Sequence, residues 1–412
     1  MKLWKKYTKI IGSLLLTAVF AFSAFGCDIS QYLPEDLFPS WDMGLDTDTD
    51  SGSEDTDGES GGSDTDGGSE DTDSGSEDTD SESSGGDVIE TEGLSIHFLQ
   101  LGNQNTGDCT LIDVGDTEVL IDAGSRKNSA AVIKSYVDQY CEDGVLEYVI
   151  ATHADQDHIA AFVGNSGTPL RTGILYQYQV GTLIQFPLTS KTTQILSEYR
   201  TAVEYAKGKG TTVYTALECW NNEKGASRSY TLGNDVTMQI LYQKYYEETT
   251  SDENDYSVCM LLTQGENNYL FTGDLEKKGE VSLVENNDLP KCKLYKGGHH
   301  GSPTSSTDAL LSVIQSEIVC VCCCAGSSEY TSTKENQFPA QAFIDRIAPY
   351  TDKVYVTTMI SSDGSKGVPM NGDIVVSCLD GKNVTVTGTN NNTILKETAW
   401  FKSNRTCPAA WK

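Results

Sequence analysis

From Gly93 onward the sequence predicts an α/β domain, built as two β-rich halves with helices between the strands. Three observations predict it. Short apolar runs alternate with stretches of helical periodicity. The second half repeats the alternation of the first. Three of the apolar runs end in clusters of imidazole and carboxylate groups: His153-Ala154-Asp155-Gln156-Asp157-His158, then Thr272-Gly273-Asp274, then Gly298-His299-His300-Gly301.

Taken in order, residues 94–101 and 109–114 read as strands, and 118–122 as a third that ends in Ala123-Gly124. Residues 129–140 carry helical periodicity with Ser129 as a cap, and the run 147–151 leads into the first histidine cluster. The span 171–230 is less regular and more polar, and it is predicted to be an insertion over the site. Strands follow at 236–241, 257–264 and 268–272, then a helix from Leu275 and a strand running into the His299-His300 turn. The last part predicts a strand at 318–324, a helix at 339–347, strands near 353–357, 373–379 and 384–387, and a tail over 391–412.

The first 92 residues do not read as a folded domain. Lys2, Lys5, Lys6 and Lys9 precede an apolar segment at 10–25, which is the layout of a secretory signal over 1–27 and is too short and one-sided for a permanent membrane span. Ala24-Phe25-Gly26-Cys27 resembles a bacterial lipoprotein cleavage box without its usual Leu, so Cys27 is the expected lipidation site. Residues 28–92 hold 23 of the 60 acidic residues and none of the 29 basic ones. A stretch with so little to bury stays extended as a tether, and its Asp-rich repeats lack the ligand spacing of a calcium loop. Residues 93–412 carry 37 acidic against 25 basic residues, a net charge of −12. That excludes an electrostatic surface for wrapping duplex nucleic acid.

Twelve cysteines are many for an exported chain, but their spacings form no disulfide framework. Cys320-Val321-Cys322-Cys323-Cys324 lies inside an apolar run and reads as small hydrophobes, with a soft metal site, or disulfides involving Cys378 or Cys407, as the alternatives.

Two imidazoles and two carboxylates within six residues of a strand end can converge on a metal ion; the plain alternative is that they cap a helix beginning near Asp157. Four blocks in order carry a family resemblance: Phe98-Leu99-Gln100-Leu101-Gly102 with Gly107-Asp108 and Leu120-Ile121-Asp122-Ala123-Gly124; His153 to His158; Phe271-Thr272-Gly273-Asp274; and Lys296-Gly297-Gly298-His299-His300-Gly301-Ser302. Together they resemble the metallo-β-lactamase fold, in the branch typified by the hydrolase domain of the DNA-uptake protein ComEC. The resemblance implies a four-layer αββα sandwich over 93–390 with metals at one edge between the sheets. It also implies two divalent ions. His153, Asp155 and Asp274 would face one, Asp157, His158, Asp274 and His300 the other, and Asp274 would bridge them.

Many relatives have a histidine where Asp155 stands, and this chain has none between His158 and His299, so manganese rivals zinc. Asp157 and His299 are the candidate catalytic residues. His299 either donates to a phosphoryl oxygen or leaving group, or bonds to backbone and buttresses its turn. Asn254 and Ser257 match the block before the central strand and either hold a loop or, in the case of Asn254, touch substrate. His97 reads as structural, and Asp108 and Asp122 as turn fixers rather than ligands. Phe338 stands where relatives often place a histidine near the substrate, so leaving-group chemistry is expected to differ.

The expected protein is therefore an exported hydrolase, tethered to the outer face of a bacterial cytoplasmic membrane through a lipid anchor, with secretion as the alternative. A hydroxide held between two ions would attack a phosphodiester in an oligonucleotide or a phosphorylated cell-wall polymer. Hydrolysis of an ester, lactone or amide, and a non-catalytic surface binding module, are the other classes this sequence admits.

Overall fold

The computed structural model describes residues 93–165, 171–233 and 235–412. The predicted signal, Cys27 and the tether lie outside the described residues. Among the described residues no helix is long and apolar enough to cross a membrane.

Among the described residues, sixteen strands form two mixed sheets of eight. The chain begins with β1 (Leu94–Phe98), β2 (Thr110–Val114), β3 (Thr117–Ile121), β4 (Val145–Ala151), β5 (Gln179–Gln185) and β6 (Thr212–Thr215) in the first sheet. It then builds the second from β7 (Ser229–Thr231), β8 (Val236–Leu241), β9 (Cys259–Gln264), β10 (Asn267–Phe271), β11 (Leu294–Lys296), β12 (Ile318–Ala325), β13 (Val354–Ile360) and β14 (Gly367–Pro369). Finally β15 (Ile374–Cys378) and β16 (Thr385–Gly388) return to the first, whose order is β16-β15-β1-β2-β3-β4-β5-β6.

The two sheets repeat one plan. An antiparallel set gives way to parallel strands, β3 to β6 in the first sheet and β10 to β13 in the second. Parallel neighbours end on the same edge. The loops after β3, β4, β10 and β11 therefore gather there, where open parallel sheets place their ligand sites.

Packing between the sheets explains the cysteine-rich strand. Side chains alternate across a strand. Ile318, Cys320 and Cys322 join Phe98, Ile96, Met260 and Phe271 in the core between the sheets. Val319, Val321 and Cys323 face the outer helices through Leu310, Ile314, Phe343 and Ile344. A strand covered on both faces reads as one continuous apolar run. The eleven described cysteines are free thiols, so the disulfide alternative for Cys378 and Cys407 is not realised.

Two spans differ from expectation. Residues 171–230 are largely part of the first sheet rather than a separate insertion, with the turn at Lys191 reaching the cleft: β5 and β6 extend the parallel half of the sheet, and the helix Gln194–Gly208 buries Leu196, Tyr199 and Val203. Its polar positions mark the helix's outer side and obscured the strands. The expected tail at 391–412 packs on the domain through Trp400, Phe401 and Trp411.

Candidate metal centre

The site begins where β4 ends. Thr152 and His153 leave the strand, and Asp155 stands at the head of the helix Gln156–Val163, whose first turn carries Asp157 and His158. Neighbouring loops are pressed against that turn by backbone hydrogen bonds. Asp108 N donates to Asp157 O at 3.1 Å, Ala123 N to His158 O at 2.7 Å, and Gly124 N to Asp108 O at 2.8 Å. The approach demands glycine at 124, where a Cβ would lie 1.5 Å from Asp157 O. Asp274 follows β10 through Gly273, whose φ of 54° suits glycine. His299 and His300 follow β11 with φ of 45° and 54°, and Asp122 has φ 57°. Left-handed backbone at three non-glycine residues of one site is the kind of local strain that functional sites hold.

Around the second predicted ion position, the Nε2 atoms of His158 and His300 each lie 3.1 Å from Asp274 Oδ2 and 3.3 Å from one another. Asp157 Oδ2 is 3.3 Å from His300 Nε2. The opposite ring nitrogens are tied back. His158 Nδ1 donates to Asp122 Oδ2 at 2.8 Å, and Asp122 also accepts from Thr152 N and Oγ1. His300 Nδ1 lies 2.9 Å from the Cys322 carbonyl and 3.0 Å from Asp108 Oδ1. With Nδ1 engaged, both Nε2 atoms face inward, the arrangement of metal-binding histidines backed by carboxylates once a metal displaces their protons.

Asp108, His158, Asp274 and His300 form a buried group whose ligand atoms lie within 4.8 Å of one another. Asp108 touches the rings on their Nδ1 side and pairs with the buried Lys296 ammonium. It is thus an outer carboxylate behind the imidazoles. Asp108 and Asp122, read from sequence as turn fixers, also hold ligand rings, which a lone Asp near a strand end does not reveal.

The first position is sparser. His153 Nε2 is buried without a hydrogen-bond partner and lies 3.8 Å from Asp155 Oδ2. Its Nδ1 is turned to Thr152 Oγ1 at 3.1 Å and Ser257 Oγ at 3.4 Å. Ser257 Oγ also accepts from Asp274 N at 3.0 Å, so it positions two predicted ligands. Asp274 Oδ1 is likewise buried and unpartnered. A buried imidazole nitrogen and a buried carboxylate oxygen left without partners are costly unless a cation completes them. The residues present therefore fit a metal.

Proton affinities carry the same mark. Burial disfavours the charged imidazoles of His158 and His300, but Asp274 with Asp122, and Asp274 with Asp108, outweigh it and raise both pKa values well above the usual range. Burial would raise Asp274, yet His158, His300 and His299 hold it well below the carboxylate range. Burial and the neighbouring His158 lower His153 to about 4. Carboxylates that depress so far while adjacent imidazoles hold protons make a pocket that stabilises positive charge.

Above the donors lies a cleft of about 520 Å³ lined by Asp155, Asp157, Asp274, His299, Asn254 and Tyr330, among others. His299 Nδ1 is 3.2 Å from both Glu276 Oε1 and Thr304 Oγ1, while its Nε2 is 3.9 Å from Asp274 Oδ2. Asn254 Nδ2 donates to the same Glu276 oxygen at 3.2 Å. Phe338 packs 5.8 Å from the His299 ring and stacks at 5.4 Å on Tyr330. The Tyr330 hydroxyl donates to Asp157 Oδ2. Tyr330, Glu276 and Lys191, which pairs with Asp155 at 2.6 Å, carried no sequence signal, being single polar residues in loops. His97 bonds to Ser95 and Tyr136 within the first sheet's surroundings.

Residues 102–164 match the metallo-beta-lactamase superfamily. Over 255 residues, 61% of this chain, the sequence is 27% identical to Recombination protein 2 of Haemophilus influenzae, and it spans 26% of that protein's length. Among solved structures, it is similar to the metallo-beta-lactamase fold protein YhfI from Bacillus subtilis, at 11% identity and a TM-score of 0.35 over 65% of this chain and 97% of that one. The short form of human tRNase Z gives 12% identity and a TM-score of 0.29 over 64% and 92%. The two sheets with flanking helices are a metallo-β-lactamase fold, and the Asp and His donors at their edge form a group that could hold a divalent metal.

Proposed function

We propose that this metallo-β-lactamase-fold hydrolase is a dinuclear phosphodiesterase acting on an extracellular phosphorylated substrate. The reading rests chiefly on the convergence of Asp274 with the inward Nε2 atoms of His158 and His300, beside the unpartnered Nε2 of His153. His153, Asp155 and Asp274 would hold one divalent ion, and Asp157, His158, Asp274 and His300 the other. When bound, two such ions supply Lewis-acid charge at phosphoryl oxygens and make water nucleophilic at neutral pH.

The chain's own groups would do the rest. Asp274 and Asp157 orient the attacking side of the site. His299, its Nδ1 engaged by Glu276, keeps Nε2 free to give a proton to the departing alkoxide. The single imidazole and two carboxylates at the first position favour manganese as strongly as zinc. A net charge of −12 on residues 93–412, read from the sequence, disfavours long duplexes and leaves an oligonucleotide or a decorated cell-wall polymer as the substrate. Export and anchoring through Cys27 would place the enzyme at the outer face of the membrane.

The test is metal content by mass spectrometry, paired with turnover of bis-p-nitrophenyl phosphate as zinc or manganese is restored to the chelated protein. About two ions per chain with metal-dependent turnover support the reading. Turnover of lactones but not diesters would replace it with carbonyl hydrolysis.

A further inference from the structure

Lys191 lies in the turn between β5 and the helix Gln194–Gly208, and its ammonium enters the cleft. Nζ is 2.6 Å from Asp155 Oδ1, while Asp155 Oδ2 faces His153 Nε2. One carboxylate oxygen thus serves the ammonium and the other the first ion position. The turn is pinned. Glu253, 4% exposed, accepts from Thr189 Oγ1 at 2.6 Å and from Ser190 N and Oγ at 2.8 Å. It also takes Ala154 N at 3.4 Å, which ties the Lys191 turn to the backbone between His153 and Asp155.

An ammonium has three N–H donors, and Asp155 takes one. The Lys191 side chain lines the cleft and is 34% exposed, which leaves the ammonium room for a further acceptor. The other cation lining that cleft is already committed: Arg126 pairs with Glu329 and donates to Ser125 O and Asn105 Oδ1. A neutral ester needs no such charge. A phosphodiester brings a negative charge over Asp155, Asp157 and Asp274 and gains from a cation that does not leave with the metal.

We propose that Lys191, held in place by Glu253, is a specificity-determining residue that receives a non-bridging oxygen of an anionic phosphodiester. This rests on the phosphodiesterase reading and adds to it the group that prefers anionic over neutral substrates. Lys191→Met and Lys191→Arg in the full chain test it with three readouts: inorganic phosphate binding by calorimetry, metal content, and the ratio of kcat/KM for bis-p-nitrophenyl phosphate to that for p-nitrophenyl acetate. The methionine variant should lose about tenfold in phosphate affinity and in that ratio, keep its metal, and recover most of the loss with arginine. Glu253→Gln should move both in the same direction by less. Unchanged phosphate affinity and ratio overturn the proposal. So does loss of metal with both substrates slowed alike, which would make Lys191 a prop for Asp155. If the wild-type protein hydrolyses no diester, the phosphodiesterase reading falls, and the phosphate titration still decides whether Lys191 is an anion receptor.

Discussion

The two halves of the donor cluster are built differently. Around His158 and His300, each imidazole is fully buried and backed by its own carboxylate, Asp122 or Asp108. Around His153, a single imidazole rests on two hydroxyls, and its carboxylate neighbour Asp155 is 26% exposed and shared with Lys191. Outer carboxylates raise ligand basicity and fix ring orientation. The His158–His300 half therefore resembles a lasting ion site and the His153 half an exchangeable one, as a cluster would need if it kept one ion while another met substrate.

Asp274 belongs to both halves, so breaking it should erase the comparison. Asp274→Ala removes the carboxylate that lies 3.1 Å from both His158 and His300 Nε2, and with it the charge that chiefly raises their proton affinity. Metal content should fall to less than one ion per chain, and diester turnover should drop by about a thousandfold or more. Retention of two ions would remove the shared-bridge assignment. Asp122→Asn acts on one half only. It keeps the shape but weakens the hold on His158 Nδ1, so metal affinity should fall by roughly 10- to 100-fold at the tight position and hardly at the other. Calorimetric titration resolves the two steps.

Acidification separates the halves without mutation. Metal must displace the protons that His158 and His300 hold tightly, whereas His153 stays neutral down to about 4. Between neutral pH and 5, affinity at the His158–His300 position should fall by up to about tenfold per pH unit for each proton displaced, with less change at His153. The sign reverses for stability of the chelated protein. A raised folded pKa contributes stability fully below the unfolded value of 6.5 and loses it as pH rises through the folded pKa. Chelated protein should thus unfold more easily in alkali than at pH 6, and thermal melts across that range check it.

Much of this asymmetry was legible in the sequence and part was not. The ligand types were, because imidazole and carboxylate cluster at apolar run ends whose strand character follows from uninterrupted aromatic and β-branched residues such as Tyr148-Val149-Ile150. The repeated alternation of strand and helix likewise announced two similar halves. The outer layer was not. Asp108 and Asp122 reach the rings only because Gly124 lets their loops press on the first turn of the Asp157 helix, a contact across more than thirty residues. Lys191 was hidden in a polar span, since polarity marks both an insertion and the exposed side of an amphipathic helix, and here β5 and β6 made that span part of the sheet.

The smallest expected effect comes from Tyr330, which touches one half from outside. Its ring is half exposed, yet its hydroxyl donates to Asp157 Oδ2, the oxygen that also faces His300 Nε2. Burial and the adjacent Asp157 raise the phenol's pKa, so it stays a donor throughout the working range. Tyr330→Phe keeps the stacking on Phe338 and deletes a single charge-assisted hydrogen bond, about 1–2 kcal/mol. The freed carboxylate becomes a better ligand, so metal affinity at the His158–His300 position should rise by a few-fold while the His153 position is unmoved. Diester turnover should fall by roughly tenfold or less if the hydroxyl also meets substrate, with the loss in kcat rather than in metal content. A change confined to the His153 position would mean that Tyr330 and Asp157 serve the exchangeable half, and the division drawn between the halves would have to be reversed.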